Sequence, residues 1–196
     1  MGILAFIIRY GSCRKAHLLR HGSLGLAAAF IFCLPIAGHT EMLTSENSLK
    51  AAFILNFAKL VEWPESALKG KAEFCIATLG RSPLDRELAA LNGKSVQGRS
   101  VVFHQYNSPE EAGKCQVLFI SRSEQPRLAG ILDSLGDMPV LTVSDQDTFC
   151  TKGGMLSLAS EKGKVVFDAN MHETQRAGLK PSSHLLRLAR KIYGRH

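Results

Sequence analysis

The chain has 196 residues, with 24 Lys and Arg against 17 Asp and Glu, for a formal charge of +7. Four of the basic residues, Arg9, Arg14, Lys15 and Arg20, fall within residues 1–40, which hold no acid, so the other 156 residues carry only +3. That mild balance, with no clustered basic stripe, gives no case for nucleic-acid binding, and the length fits one domain able to bury its own core.

Residues 1–40 read as an export signal. Their basic stretch precedes the apolar run Leu24-Gly-Leu-Ala-Ala-Ala-Phe-Ile-Phe-Cys-Leu-Pro35 and the small residues Ala37 and Gly38. A dozen apolar residues fall short of the roughly 20 that a membrane-spanning helix needs. The expected product is a soluble periplasmic domain, residues 41–196, with no membrane insertion after cleavage near Gly38 or Thr40. Lipid attachment at Cys33 is disfavoured by the bulky Phe32 before it. No repeat, low-complexity tract or Pro/Gly/Ser-rich linker divides the remainder.

Residues 47–62 form a predicted helix, with Leu49, Ala52, Phe53, Phe57 and Leu60 at three- and four-residue steps before Trp63-Pro64. Ile54, Leu55 and Ala58 make it apolar nearly all round, which predicts burial on more than one side. A strand follows at 74–78, then the turn Gly80-Arg-Ser-Pro83 and a short helix at 84–91, capped by Ser82 with Pro83 in its first turn. Residues 100–105 and 116–120 are strands, 125–135 a helix, and 140–143 a fourth strand. Strands alternating with helices imply parallel pairing and right-handed crossovers. Beyond Gly153-Gly154, residues 155–159 and 164–167 flank a turn and read as an antiparallel hairpin. Helices are expected at 170–177, capped by Asn170 and ended at Gly178, and from 183 to about 193, capped by Ser182 or Ser183. The fold class is therefore α/β, a Rossmann-like sandwich whose mostly parallel sheet is flanked by helices and carries the hairpin at one edge.

The exported part holds three cysteines, Cys75, Cys115 and Cys150, an odd number for an oxidising compartment. In a 2-1-3 strand order Cys75 and Cys115 are lateral neighbours at the same end of the sheet. A disulfide between them would close a loop of about 40 residues; the alternative is two buried free thiols. Cys150 is then unpaired or available for an intermolecular bond.

Motifs for catalysis are absent. There is no G-x-G-x-x-G and no G-x-S-x-G, and Gly93-Lys-Ser95 mimics the end of a phosphate-binding loop but has Leu88 where the first Gly belongs. His104, His172 and His184 lack metal-ligand spacing with each other or with Cys150. No catalytic residue, metal or cofactor is expected. Small-molecule binding would use the carboxyl ends of the parallel strands, near Gly80 and Ser121 to Ser123. A cluster of Asp168, Arg176, Lys180, Arg187 and Arg190 around the last two helix ends reads either as a solvated charged face or as a polar network beside a partner-binding surface.

Ordered along the chain are Leu49-Lys-Ala-Ala-Phe-Ile-Leu-Asn-Phe-Ala-Lys-Leu-Val-Glu-Trp-Pro64, Phe74-Cys-Ile-Ala-Thr-Leu-Gly80 and Ala112-Gly-Lys-Cys-Gln-Val-Leu-Phe-Ile-Ser-Arg-Ser-Glu124. Pro139-Val-Leu-Thr-Val-Ser-Asp145, Phe149-Cys-Thr-Lys-Gly-Gly-Met155, Val166-Phe-Asp-Ala-Asn170, Arg176-Ala-Gly-Leu-Lys180 and Ser183-His-Leu-Leu-Arg-Leu-Ala-Arg190 follow. Together these segments resemble the YfiR family over essentially the whole exported part. The resemblance implies a periplasmic regulator without catalytic activity. It would bind the periplasmic sensor region of an inner-membrane diguanylate cyclase and hold it inactive, lowering cyclic-di-GMP and biofilm formation, with disulfide state and homodimer formation linked to that control. It matches Cys75 and Cys115 to the family's first disulfide, and Asp168, Met171, Arg176, Lys180 and Arg190 to partner-facing positions. Three departures stand out: Ser157 replaces a cysteine that some members pair with the position of Cys150, Thr174 replaces an apolar residue, and Lys180 replaces an Arg.

Overall fold

The computed structural model describes residues 38–194. Residues 1–37, and with them most of the expected export signal, lie outside the described residues; Gly38 opens the first helix. In chain order the elements are α1 (Gly38–Leu60), β1 (Val61–Glu62), α2 (Glu65–Leu68), β2 (Glu73–Leu79), α3 (Asp85–Ala89), β3 (Ser95–Val96), β4 (Arg99–Tyr106), α4 (Pro109–Ala112) and β5 (Val117–Ile120). A 3-10 turn at Arg122–Arg127 leads into α5 (Leu128–Leu135), followed by β6 (Leu141–Ser144), a 3-10 turn at Cys150–Lys152, β7 (Leu156–Glu161), β8 (Lys164–Asn170), α6 (Met171–Arg176), β9 (Lys180–Pro181), α7 (Ser183–Leu188) and β10 (Lys191–Tyr193). Among the described residues no helix is long and apolar enough to cross a membrane.

Eight strands form one sheet in the order β10-β8-β7-β6-β5-β2-β4-β3, and β1 pairs with β9 as a separate antiparallel ribbon. Within the large sheet the pairs of β2 with β4 and β5, β5 with β6, β6 with β7 and β8 with β10 are parallel. The pairs β3–β4 and β7–β8 are antiparallel. The sheet is thus mixed. The expected hairpin is present, but it does not lie at an edge, because β10 adds a strand outside β8.

Two apolar layers sandwich the sheet. On one face α1, α3 and α7 bring Ala51, Ile54, Phe57, Leu84, Leu88 and Leu185 against Phe74, Ile76, Phe119 and Phe167. Phe57 and Phe167 have ring centroids 4.9 Å apart, and Trp63 meets Phe74 edge-on at 5.4 Å while donating from its indole nitrogen to Ala58 O at 3.1 Å. On the other face α4 and α5 supply Ala112, Leu128, Ile131 and Leu135 against Ala77, Leu79, Leu118 and Ile120. Central strands covered on both faces need continuous apolar runs, and β5 and β6 are buried at every position.

The phase of α1 differs from the sequence expectation. Its buried stripe is Lys50, Ala51, Ile54, Phe57 and Ala58, whereas Leu49 and Ala52 are exposed, so the helix is buried on one side. A helix apolar nearly all round leaves its register to the sheet it meets, and here a charge helps to set it. Lys50 is buried and reaches Glu46 at 2.8 Å and Asp145, at the end of β6, at 3.4 Å.

Other boundaries move for local reasons. The helix expected from 84 starts at Asp85, with Ser82 Oγ accepting from Leu84 N at 3.1 Å and Asp85 Oδ2 accepting from Ser82 N at 3.0 Å. Pro126 cannot donate within a helix, and the segment before Leu128 winds as a 3-10 turn. The last helix, expected to reach about residue 193, stops at Leu188. Ala189 is extended, Arg190 N donates to Phe167 O at 2.8 Å, and residues 191–193 pair in parallel with Asp168–Asn170. Satisfying the open edge of β8 outweighs the helical pattern of that segment.

Cys75 and Cys115 form the expected disulfide, with Cα atoms 4.7 Å apart, across the neighbouring strands β2 and β5. Gln116 seals the same point. Its Oε1 accepts from Cys75 N at 2.7 Å and its Nε2 donates to Ala67 O at 2.8 Å.

Candidate partner-binding surface

The segment from β8 to β10 is fixed at every joint. Asn170 ends β8, accepts from Glu173 N at 3.3 Å as the cap of α6, and donates from Nδ2 to the buried Cys150 O at 2.8 Å. Just past the end of α6, Gly178, at φ 69°, turns the chain into β9. There Lys180 lies opposite Glu62 in the ribbon with β1. Ser182 N donates to Leu60 O at 2.8 Å, and the Ser182 hydroxyl caps α7 by accepting from Leu185 N at 3.2 Å. Capping interactions of this kind are worth about 1 kcal/mol each, which gives a six-residue helix such as α6 a defined position it lacks in isolation.

The five residues matched to a partner-facing surface divide into two groups. Asp168 is 3% exposed, and its two carboxylate oxygens accept from Arg190 Nε at 2.8 Å and from a second guanidinium nitrogen at 2.7 Å. The third guanidinium nitrogen bonds Glu161 at the tip of the β7–β8 hairpin. The Asp168 bond pushes the Arg190 pKa above its ordinary value, so the guanidinium stays charged at any physiological pH. It ties β10 to β8 and turns Asp168 inward, leaving the outer part of Arg190 to face solvent.

Arg176 and Lys180 are exposed, and Met171 is half-buried. Arg176 bonds Glu173 at 2.8 Å, one turn earlier on α6, and lies 3.4 Å from Asp137 in the loop after α5. The predicted cluster therefore resolves into separate parts: Asp168 with Arg190 and Glu161, Arg176 with Glu173 and Asp137, and Lys180 on the ribbon. Arg187 is exposed on α7 and has no ion pair among the described residues. The surface α6 offers consists of Met171, His172, Gln175 and Arg176. His172 and Gln175 were not singled out in the sequence, although their spacing on α6 places them beside Met171 and Arg176. The i,i+3 relation of Glu173 and Arg176 was readable; the approach of Asp137 was not, because it depends on how α5 packs.

Thr174 is buried, and its hydroxyl donates to Asn170 O one turn back. The departure from an apolar residue there thus falls inside the domain and leaves the exposed face of α6 unaltered.

Cys150 is free and buried, with its sulfur 3.5 Å from Asp168 O and 3.6 Å from Met155 O. Burial, reinforced by the Asp168 charge, pushes its thiol up to about 12. An intermolecular bond through Cys150 in the folded domain is accordingly ruled out by access. The Ser157 hydroxyl is buried and donates to Gln146 O at 2.7 Å.

At the carboxyl ends of β2 and β5, the place that the alternative of small-molecule binding would use, side chains crowd Gly80. Gly80 adopts φ 80°, and a Cβ built there would lie 2.5 Å from Glu124 Oε1 and 2.6 Å from Ser123 Oγ. The buried Glu124 carboxylate bonds Arg127, and the Ser121 hydroxyl bonds Arg81 O across the mouth. Among the described residues no three His, Cys, Asp or Glu side chains are grouped to hold a metal ion.

Two solved structures are similar to part of this chain. One is the ABC domain in complex with L-Trp from Streptococcus pneumonia, with 10% identity over 71% of this chain and a TM-score of 0.46. The other is a conserved domain protein from Vibrio cholerae O1 biovar El Tor strain N16961, with 10% identity over 74% of this chain and a TM-score of 0.45. The match spans 60% of the length of each. A sequence model of the YfiR/HmsC-like family matches residues 47–190, which run from the first turns of the buried part of α1 to Arg190 and so take in both cysteines of the disulfide and the whole α6 surface. The chain belongs to the YfiR/HmsC-like family.

Proposed function

We propose that this protein is a periplasmic regulator that acts by binding and not by catalysis. Residues 1–40 direct export and are removed, and the domain of residues 41–196 engages the periplasmic sensor region of an inner-membrane diguanylate cyclase, holding it inactive. The observation that carries this reading is the family match over residues 47–190, which extends across α6 and its supports. Repression follows from differential affinity: the regulator lowers cyclic-di-GMP only to the extent that it binds the inactive cyclase better than the active one.

In this reading the matched residues have different roles. Met171 and Arg176 on α6 offer an apolar and a polar contact to the partner, and Lys180 on the ribbon adds a separate cationic one. Asp168 and Arg190 hold the segment in place, and Arg190 contributes its outer edge. Homodimer formation, if coupled to release, does not run through Cys150, which is enclosed.

Deletion of the gene tests the proposal. Intracellular cyclic-di-GMP and surface attachment are expected to rise, and the rise should vanish when the target cyclase is also deleted. Unchanged cyclic-di-GMP in cells that normally express the protein would refute repression.

A further inference from the structure

The second apolar layer does not cover the whole sheet. It stops at Cys75 and Tyr106, and beyond them Val102 and His104 of β4 stand uncovered on the same face. A cleft of about 280 Å³ opens there, lined by Lys71, Glu73, Cys75, Val102, His104, Tyr106, Lys114 and Gln116. It lies at the β4 end of the strand order, whereas β10 and the α6 surface lie at the other end.

We propose that this cleft binds a small aromatic carboxylate: one planar ring carrying a single negative charge. The floor is rigid, made of the Cys75–Cys115 disulfide and of Gln116, whose amide is held at both ends. One wall is aromatic. The His104 and Tyr106 rings stack, parallel within 3° with centroids 5.8 Å apart, and a ligand ring can continue that stack. The lining is also cationic. Lys71 and Lys114 both line the cleft, and Lys71 Nζ donates to the backbone carbonyl of Lys114 at 2.9 Å. Among the described residues neither Lys71 nor Lys114 has a carboxylate partner. Burial lowers the Lys71 pKa, the sign of a cation short of compensating charge. An incoming carboxylate supplies that charge, while exposed Glu73 at the rim disfavours a dianion. The volume, at the low end for ligand sites, suits about ten non-hydrogen atoms and is too small for a peptide or nucleotide.

The test is an NMR titration of oxidised protein, purified from cells expressing the full-length gene, with 4-hydroxybenzoate. Saturable amide shifts are expected at residues 71–75, 102–106 and 114–116, with a dissociation constant of roughly 1 mM for a ligand of that size. The neutral analogue 4-hydroxybenzamide, and the Lys71→Gln/Lys114→Gln variant with 4-hydroxybenzoate, should each bind at least about tenfold more weakly. Lys164→Gln, which removes a charge at the β7–β8 turn, should leave affinity unchanged. Because both lysines are at the surface of the cleft, the double variant should keep the wild-type melting temperature. No saturation below about 20 mM, equal binding of the amide, or shifts mapping to another face would each overturn the proposal.

Discussion

Arg190→Ala isolates the ion pair that supports the α6 surface. Asp168 has a side chain 4% exposed, and both its oxygens depend on Arg190. Truncating Arg190 leaves a buried carboxylate without a partner, a change that costs about 3–5 kcal/mol when both groups are fully enclosed. Arg190 is 34% exposed, so water reaches one side of the site and the lower end, about 3 kcal/mol, applies. Its contact with the half-exposed Glu161 adds little. For a domain of this size each kcal/mol shifts the melting temperature by about 2–4 °C, giving an expected loss of about 6–12 °C. Adding Asp168→Asn removes the stranded charge and should recover part of that loss, so the double variant should be more stable than the two single losses summed by about 2 kcal/mol. Thermal and urea unfolding of the four proteins measures the cycle. A loss under about 2 °C for Arg190→Ala, or strictly additive effects, would refute the account of the pair.

Reducing Cys75–Cys115, or replacing both by Ser, opens a loop whose ends are 40 residues apart. The chain-entropy relation gives about 4 kcal/mol, which urea unfolding with and without reductant should resolve. With its thiol pushed up to about 12 and enclosed, Cys150 should stay unlabelled by a maleimide at neutral pH and react only as the domain unfolds. Labelling at the rate of an exposed cysteine would show that the region around Asp168 opens locally. Gly80→Ala forces a side chain into a left-handed conformation and against Glu124, and should cost about 2–4 kcal/mol by thermal unfolding.

The longer strands and helices and the disulfide were legible from β-branched runs between helical segments and from two cysteines at the matching ends of adjacent strands, whereas the two- to four-residue elements β1, α2, β3, α4 and β9 are too short to leave a periodic signal. The phase of α1 was not, since a helix apolar on nearly every side offers no unique stripe, and Lys50 gains its burial only from Glu46 and Asp145. Strand β10 was hidden inside a helical pattern; its existence follows from the unpaired edge of β8, which no local window contains. At the candidate surface the residue types were legible as a charged cluster around the last helix ends. They did not reveal that Asp168 faces inward while Arg176 faces outward, because β8 is buried on both faces and α6 only on one. Likewise the crevice near Gly80 follows the general rule for open α/β sheets, yet Glu124 occupies it.

The central claim, repression through the exposed residues of α6, is tested most directly by cyclic-di-GMP in the deletion strain complemented with Arg176→Ala. Arg176 is half-exposed, its pair with Asp137 lies at the surface, and the more buried Glu173 keeps its contact with His172 Nδ1 at 3.0 Å, so the substitution should cost about 1 kcal/mol and leave the protein at wild-type abundance. The account predicts that wild type restores low cyclic-di-GMP while Arg176→Ala, present at the same level, leaves it raised. Full restoration by the variant would contradict it and place the partner contact elsewhere on the domain.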